Sequence, residues 1–183
     1  MLLLKNKRRI TNILFFFLFT VIVVANSLFT VKQFHVLKQF DKIQMNFPIF
    51  TDSFVIVFLT SIQIIADFTV ITLETLLVTF VTNVITNKKL RFSNFFSLIT
   101  LANIFSIILN MIVISISGSE NLQDLQWLSW SPSSQILLVG FIYLFLSNLD
   151  SSLSVKLKIK LISIIFAITY GFTFFIQLLM NIT

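Results

Sequence analysis

Two carboxylates, Asp67 and Glu74, stand in the longest apolar run of the chain, in the stretch ADFTVITLETLL, with no basic residue between Lys42 and Lys88 to balance them. Acids held in hydrocarbon bind protons or cations, or hydrogen-bond to neighbouring helices. Seven residues is close to two helical turns, so both acids fall on one helix face, with Gln63 one turn before Asp67. The next apolar segment repeats the spacing with Asn103 and Asn110. A short basic turn, NKKLR, joins the two segments, which must therefore run antiparallel. Counting outward from that turn puts Glu74 level with Asn103 and Asp67 level with Asn110. The spacing thus predicts two polar pairs, formed as direct hydrogen bonds or as the lining of a small polar cavity. Two chemistries stay open: a helix-pairing or partner-docking surface, and a site for a proton, a small cation or a small solute.

Other chemistry has little to build on. His35 is the only histidine and cysteine is absent, which removes the His-Glu-x-x-His metal helix, an intramembrane Ser-His pair, disulfides and thiolate ligands. The two acids lie about 10 Å apart along one helix, too far to share a proton as an aspartyl dyad does. Gly118, Gly140 and Gly171 are isolated, so no phosphate-binding loop exists. No catalytic residue, metal site or cofactor is expected, and the chain is read as a non-enzyme. Discontinuous helices or an internal repeat would mark a transporter, and neither is evident. The serines and threonines of the second segment (Thr60, Ser61, Thr69, Thr72, Thr75, Thr79, Thr82) either line a path or bond back to their own helix; the second is commoner.

These side chains have to be positioned by membrane helices. Apolar residues make up 57% of the 183, charged ones 11%, the mean hydropathy is +0.99, and 23 residues are phenylalanine. That composition lies far outside the soluble range. No alternation of period two runs through the apolar segments, which excludes a β-barrel, so the spans are helices that satisfy their own backbone. Five segments reach crossing length: 13–30, 54–86, 95–117, 134–149 and 161–179. The expected fold is all-α, a polytopic membrane protein forming one integral membrane domain over 1–183. The first span follows KNKRR without a small-x-small cleavage site, and is read as a retained anchor. The second is too long for one perpendicular crossing, so it must tilt, protrude or break.

Charge gives the orientation. Ten of the thirteen basic residues cluster before span one, between spans two and three (Lys88, Lys89, Arg91), and between spans four and five. The positive-inside rule then places the N-terminus inside and the C-terminus outside. The clusters lack interleaved aromatics and sit at membrane edges, so they anchor the chain against lipid headgroups and do not bind nucleic acid. Lys32, Lys38 and Lys42 fall in the first outer loop, where apolar residues spaced three or four apart predict an interfacial helix over 34–47. Trp127 and Trp130 in the second outer loop are expected at the bilayer interface, followed by Ser131 and Pro132 as a helix start.

The stretch TNKKLRFSNFFSLITLANIFSIILNMIVI, with its basic turn opening onto F-x-x-L, is followed by a polar loop, a helix ending FIYLFLSNLDSSLSVKLKIK and a last helix. Over residues 52–180 this pattern resembles the bacterial relatives of the Ypt/Rab-interacting (Yip-type) five-span membrane proteins. The resemblance implies five spans and work through partner membrane proteins; the family's eukaryotic members act in vesicle traffic with small GTPases. The Phe, Ile, Asn and Lys bias points to an AT-rich genome and a Gram-positive plasma membrane. The expected function is an accessory or scaffold subunit for a transporter, secretion or immunity system. The alternative is a small carrier whose intramembrane acids take a proton or small cation.

Overall fold

From residue 49 to residue 117 the chain contains neither proline nor glycine, and nothing in that stretch breaks a helix except its polar turn. The computed structural model describes residues 2–40, 50–149 and 153–180. Its five long helices are α1 (Leu2–Gln33), α2 (Asp52–Thr86), α3 (Phe92–Ser117), α4 (Ser133–Leu149) and α5 (Val155–Met180). All five are long and apolar enough to cross a membrane, α4 together with the short turns leading into it from Gln123, and the described residues include no strand. This is an all-helical, multi-pass membrane protein.

The 35 residues of α2 form one unbroken helix. At about 1.5 Å per residue it is roughly 52 Å long, and fitting it within a core of about 30 Å would take a tilt of about 55°, beyond the observed range for spanning helices. Part of it therefore protrudes. Thr51 caps its start, accepting from the Phe54 amide at 3.3 Å, and Asn87 ends it in the left-handed region at φ 53°. Asn83 then clamps the turn, donating to the Leu90 carbonyl at 2.9 Å and accepting from the Leu90 amide at 2.7 Å. One side chain thus closes the α2–α3 hairpin in both directions.

Four boundaries differ from those expected. Helices α1 and α5 take in the basic clusters at their starts, because lysine and arginine are good helix formers with long apolar stems. The interfacial helix over 34–47 does not begin at Phe34: Phe34 and His35 form a turn with His35 at φ 49°, and helix resumes at 36–40. Its remainder, 41–47, lies outside the described residues. Pro132 opens α4 by accepting from the Ile136 amide at 2.9 Å, one position later than a Ser131 cap would place it.

Helix α3 is the centre of the bundle, packing against α1, α2 and α4, while α5 closes the ring against α4 and α2. Every helix contributes to one core, from Phe19 and Val23 of α1 through Ile71, Val78, Phe95, Ile99 and Ile142 to Leu161 and Ile165 of α5. Close approach comes from Ala102 and the buried hydroxyl residues Thr75, Thr82, Thr100 and Ser106, while the glycines meet no neighbouring side chain. The outward surfaces carry large apolar residues such as Phe17, Ile65, Phe80 and Phe172, each more than 60% exposed, as a lipid-facing surface requires.

Candidate functional site

The hairpin clamp places Glu74 and Asn103 at one depth, and the structure joins them. Asn103 Nδ2 donates to Glu74 Oε2 at 2.9 Å and to the Ile99 carbonyl of its own helix at 3.0 Å. Both amide protons are used, which fixes the rotamer of Asn103 and aims it at the acid. Buried Ile71, Thr75 and Val78 on α2 and Ile99, Thr100 and Ala102 on α3 enclose the contact. The second carboxyl oxygen, Oε1, accepts no hydrogen bond from the described residues.

The other expected pair does not form. Asp67 has Gln63 of its own helix as its polar neighbour, and among the described residues Asn110 makes no side-chain hydrogen bond to it or to any other group. Two physical causes act together. Asp is one methylene shorter than Glu, and its level lies two further turns from the Asn83–Leu90 clamp, on the part of α2 that meets α1 through the Phe16–Phe68 and Ser27–Thr60 contacts. Both side chains remain half-buried.

Glu74 has a second face. It lines a groove between α2 and α5 of about 480 Å³, whose walls are mainly apolar, with Leu73, Leu77, Phe172 and Ile176 among them. The polar part of the α5 wall is Thr169, Thr173 and Gln177. Thr169 donates to the Ile165 carbonyl at 2.9 Å and Thr173 to the Thr169 carbonyl at 3.1 Å. Gln135 of α4, held by Ser134 at 2.9 Å, donates to Thr173 Oγ1 at 3.1 Å and ties α4 to this wall. Sequence reasoning missed these residues. Their signal was present as a polar stripe of period four on the last span, 169, 173 and 177, but it holds no charge to attract attention.

The hydroxyls of α2 mostly serve their own helix. Ser61, Thr69, Thr72, Thr75 and Thr79 each donate to the carbonyl four residues before, at 2.6 to 2.9 Å, so they do not line a polar path. Thr60 instead meets Ser27 of α1 at 2.8 Å, and the buried Thr82 hydroxyl has no hydrogen-bond partner among the described residues. Of the expected interface residues, Trp127 is exposed, whereas the Trp130 ring packs edge-on against Phe174 at 5.3 Å and its carbonyl accepts from the Tyr170 hydroxyl at 3.2 Å. Trp130 therefore locks the short helix Gln126–Trp130 onto α5. Lys89 and Arg91 are exposed on the hairpin turn and Lys88 is half-buried there. Among the described residues no three metal-ligating side chains converge.

Comparison of the chain with family models, with curated proteins and with solved structures finds no match.

Proposed function

We propose that this chain is a non-enzymatic accessory or scaffold subunit of a plasma membrane, docking with another integral membrane protein through the α2/α5 groove. The observation that carries this reading is Glu74, a carboxylate tied to α3 on one side and presented to an open apolar groove on the other. Apolar walls at bilayer depth suit a transmembrane helix of the partner, and a hydroxyl on that helix, able to donate or to accept, pairs with the outer side of the Glu74 carboxyl. A transporter, secretion or immunity system is the kind of partner intended. The Yip-type pattern of five spans and the grouping of ten basic residues at one end support the same reading, with the N-terminus inside, the C-terminus outside and a Gram-positive host.

A second reading is favoured by the polar wall itself. Thr169, Thr173 and Gln177 face the groove that Glu74 lines, a set that also suits a proton or small cation carried through the membrane.

The absence of cysteine makes the test direct. Single variants Leu73→Cys and Phe172→Cys, in the groove, and Ile116→Cys, outside it, are treated in native membranes with a bifunctional thiol and amine crosslinker. Docking gives one stoichiometric membrane-protein adduct from the groove positions and none from Ile116→Cys. A protein that purifies alone, without adducts, refutes docking. Under the carrier reading, Glu74→Gln abolishes solute flux in a folded protein; under docking, it leaves the adduct intact because the amide oxygen still accepts from Asn103.

A further inference from the structure

Three basic residues depart from the charge pattern of the chain. By sequence Lys32, Lys38 and Lys42 fall between spans one and two, where the positive-inside rule disfavours basic residues, away from the three clusters that hold the other ten. Lys42 lies outside the described residues. The break after α1 gives two of them a common setting. Phe34 turns inward and is only 5% exposed, His35 takes the left-handed conformation at φ 49°, and the chain resumes helix with the Lys38 amide bonded back to the His35 carbonyl at 3.0 Å. Lys32 before the break, His35 at it and Lys38 after it thereby line one open cleft of about 380 Å³. Its remaining walls are Leu28, Val31, Leu37 and Ile56, and among the described residues no carboxylate lines it.

We propose that this cleft binds the phosphodiester headgroup of an anionic phospholipid in the leaflet at the tryptophan-bearing end. The arrangement has the two parts such a ligand needs. Two exposed ammonium groups make the rim cationic, with the exposed His35 imidazole beside them as a further hydrogen-bonding group, and ammonium groups bind phosphate as point charges with rotatable donors. Below the rim, Leu28 and Val31 of α1 and Ile56 of α2 offer apolar surface to the first part of an acyl chain. A soluble anion would use the rim alone and leave that surface wet. Position decides further: the cleft is formed where α1 ends, at the same end of the bundle as Trp127 and Trp130, so its rim meets the headgroup layer. A continuous helix through 32–38 would carry Lys38 about 10 Å beyond Val31 along the same face; the left-handed turn at His35 instead keeps it at the cleft that Val31 and Ile56 line. This site is separate from the α2/α5 groove and does not depend on the docking reading.

The experiment is native mass spectrometry of the full chain in mild detergent, titrated with phosphatidylglycerol or phosphatidylcholine. The wild type is expected to retain one phosphatidylglycerol and to prefer it over phosphatidylcholine. The double variant Lys32→Gln, Lys38→Gln should weaken that binding about 20-fold, at roughly one Lys–headgroup interaction lost per site. The control Lys88→Gln, Lys89→Gln, at the opposite end, loses only the diffuse headgroup attraction of its own cluster and should keep the one tightly retained phosphatidylglycerol. Leu28→Trp, which fills the floor and keeps the charges, should also lower retention. Equal retention by the wild type and the Lys32/Lys38 variant, or equal binding of the two lipids, overturns the proposal. Displacement of the lipid by millimolar inorganic phosphate would reassign the cleft to a free anion and overturn it as well.

Discussion

The half of α2 that carries Glu74 and the half that carries Asp67 contain the same residue types, yet only the first is packed as a core. Between Ile71 and Thr82 five residues are buried: Ile71, Thr75, Val78, Val81 and Thr82. Between residues 56 and 70 none is. The difference follows from distance to the Asn83–Leu90 clamp, which holds α2 against α3 near the hairpin turn. Further out, α2 meets α1 through the Ser27–Thr60 hydroxyl pair and the edge-on contact of Phe16 with Phe68, centroids 5.4 Å apart. An acid near the clamp therefore finds a partner on another helix, and an acid two turns away is left with its own. In a membrane helix of even composition, the hairpin turn is what ranks the polar positions.

The largest effects should separate the two halves by packing. Ile71→Ala or Ile99→Ala, at positions no more than 1% exposed, should cost about 2 to 4 kcal/mol, because each leaves a cavity where α2 and α3 meet. Ile65→Ala, on the exposed half, should stay within about 0.5 kcal/mol. Thermal unfolding in detergent reads both, and equal losses would remove the distinction between the halves. Next in size is Asn103→Leu, which strands the Glu74 carboxyl in apolar surroundings and should cost about 1 to 2 kcal/mol, against about 0.5 kcal/mol or less for Asn110→Leu. A comparable loss at Asn110 would show that the second pair forms in the membrane.

Gln135→Leu should cost less, about 0.6 kcal/mol, since it removes one interhelical hydrogen bond and leaves the Thr173 hydroxyl its own backbone acceptor. Glu74→Gln should be the smallest of all in stability. Its amide oxygen accepts the same proton from Asn103, so unfolding temperature should hold within a degree or two of wild type. A large shift would mean that the charge of Glu74 is used by something beyond Asn103. Together these substitutions rank the packed and polar positions from core to surface.

Part of this ranking is legible in the sequence, and the reason is local. The class, the helical spans and the antiparallel pairing of α2 and α3 follow from hydropathy and from a turn too short for any other arrangement. The same counting brings Glu74 to Asn103, because few residues lie between that level and the turn. It fails at Asp67 and Asn110, where the spacing is identical but small errors in helix phase and crossing angle have accumulated over two further turns. A stripe of spacing alone cannot tell the two levels apart.

That this chain crosses a membrane several times, and which face of α2 is polar, follows from residue order alone, because transfer from water into lipid depends on composition, and helical periodicity on local geometry. Only the tertiary structure decided that α5 stands across a groove from Glu74, that Thr169 and Thr173 line it with the acid, and that Lys32, His35 and Lys38 share a cleft. Those contacts join residues from different helices or across a left-handed turn. Their distances are set by how five rods and one bend pack, which no single segment encodes.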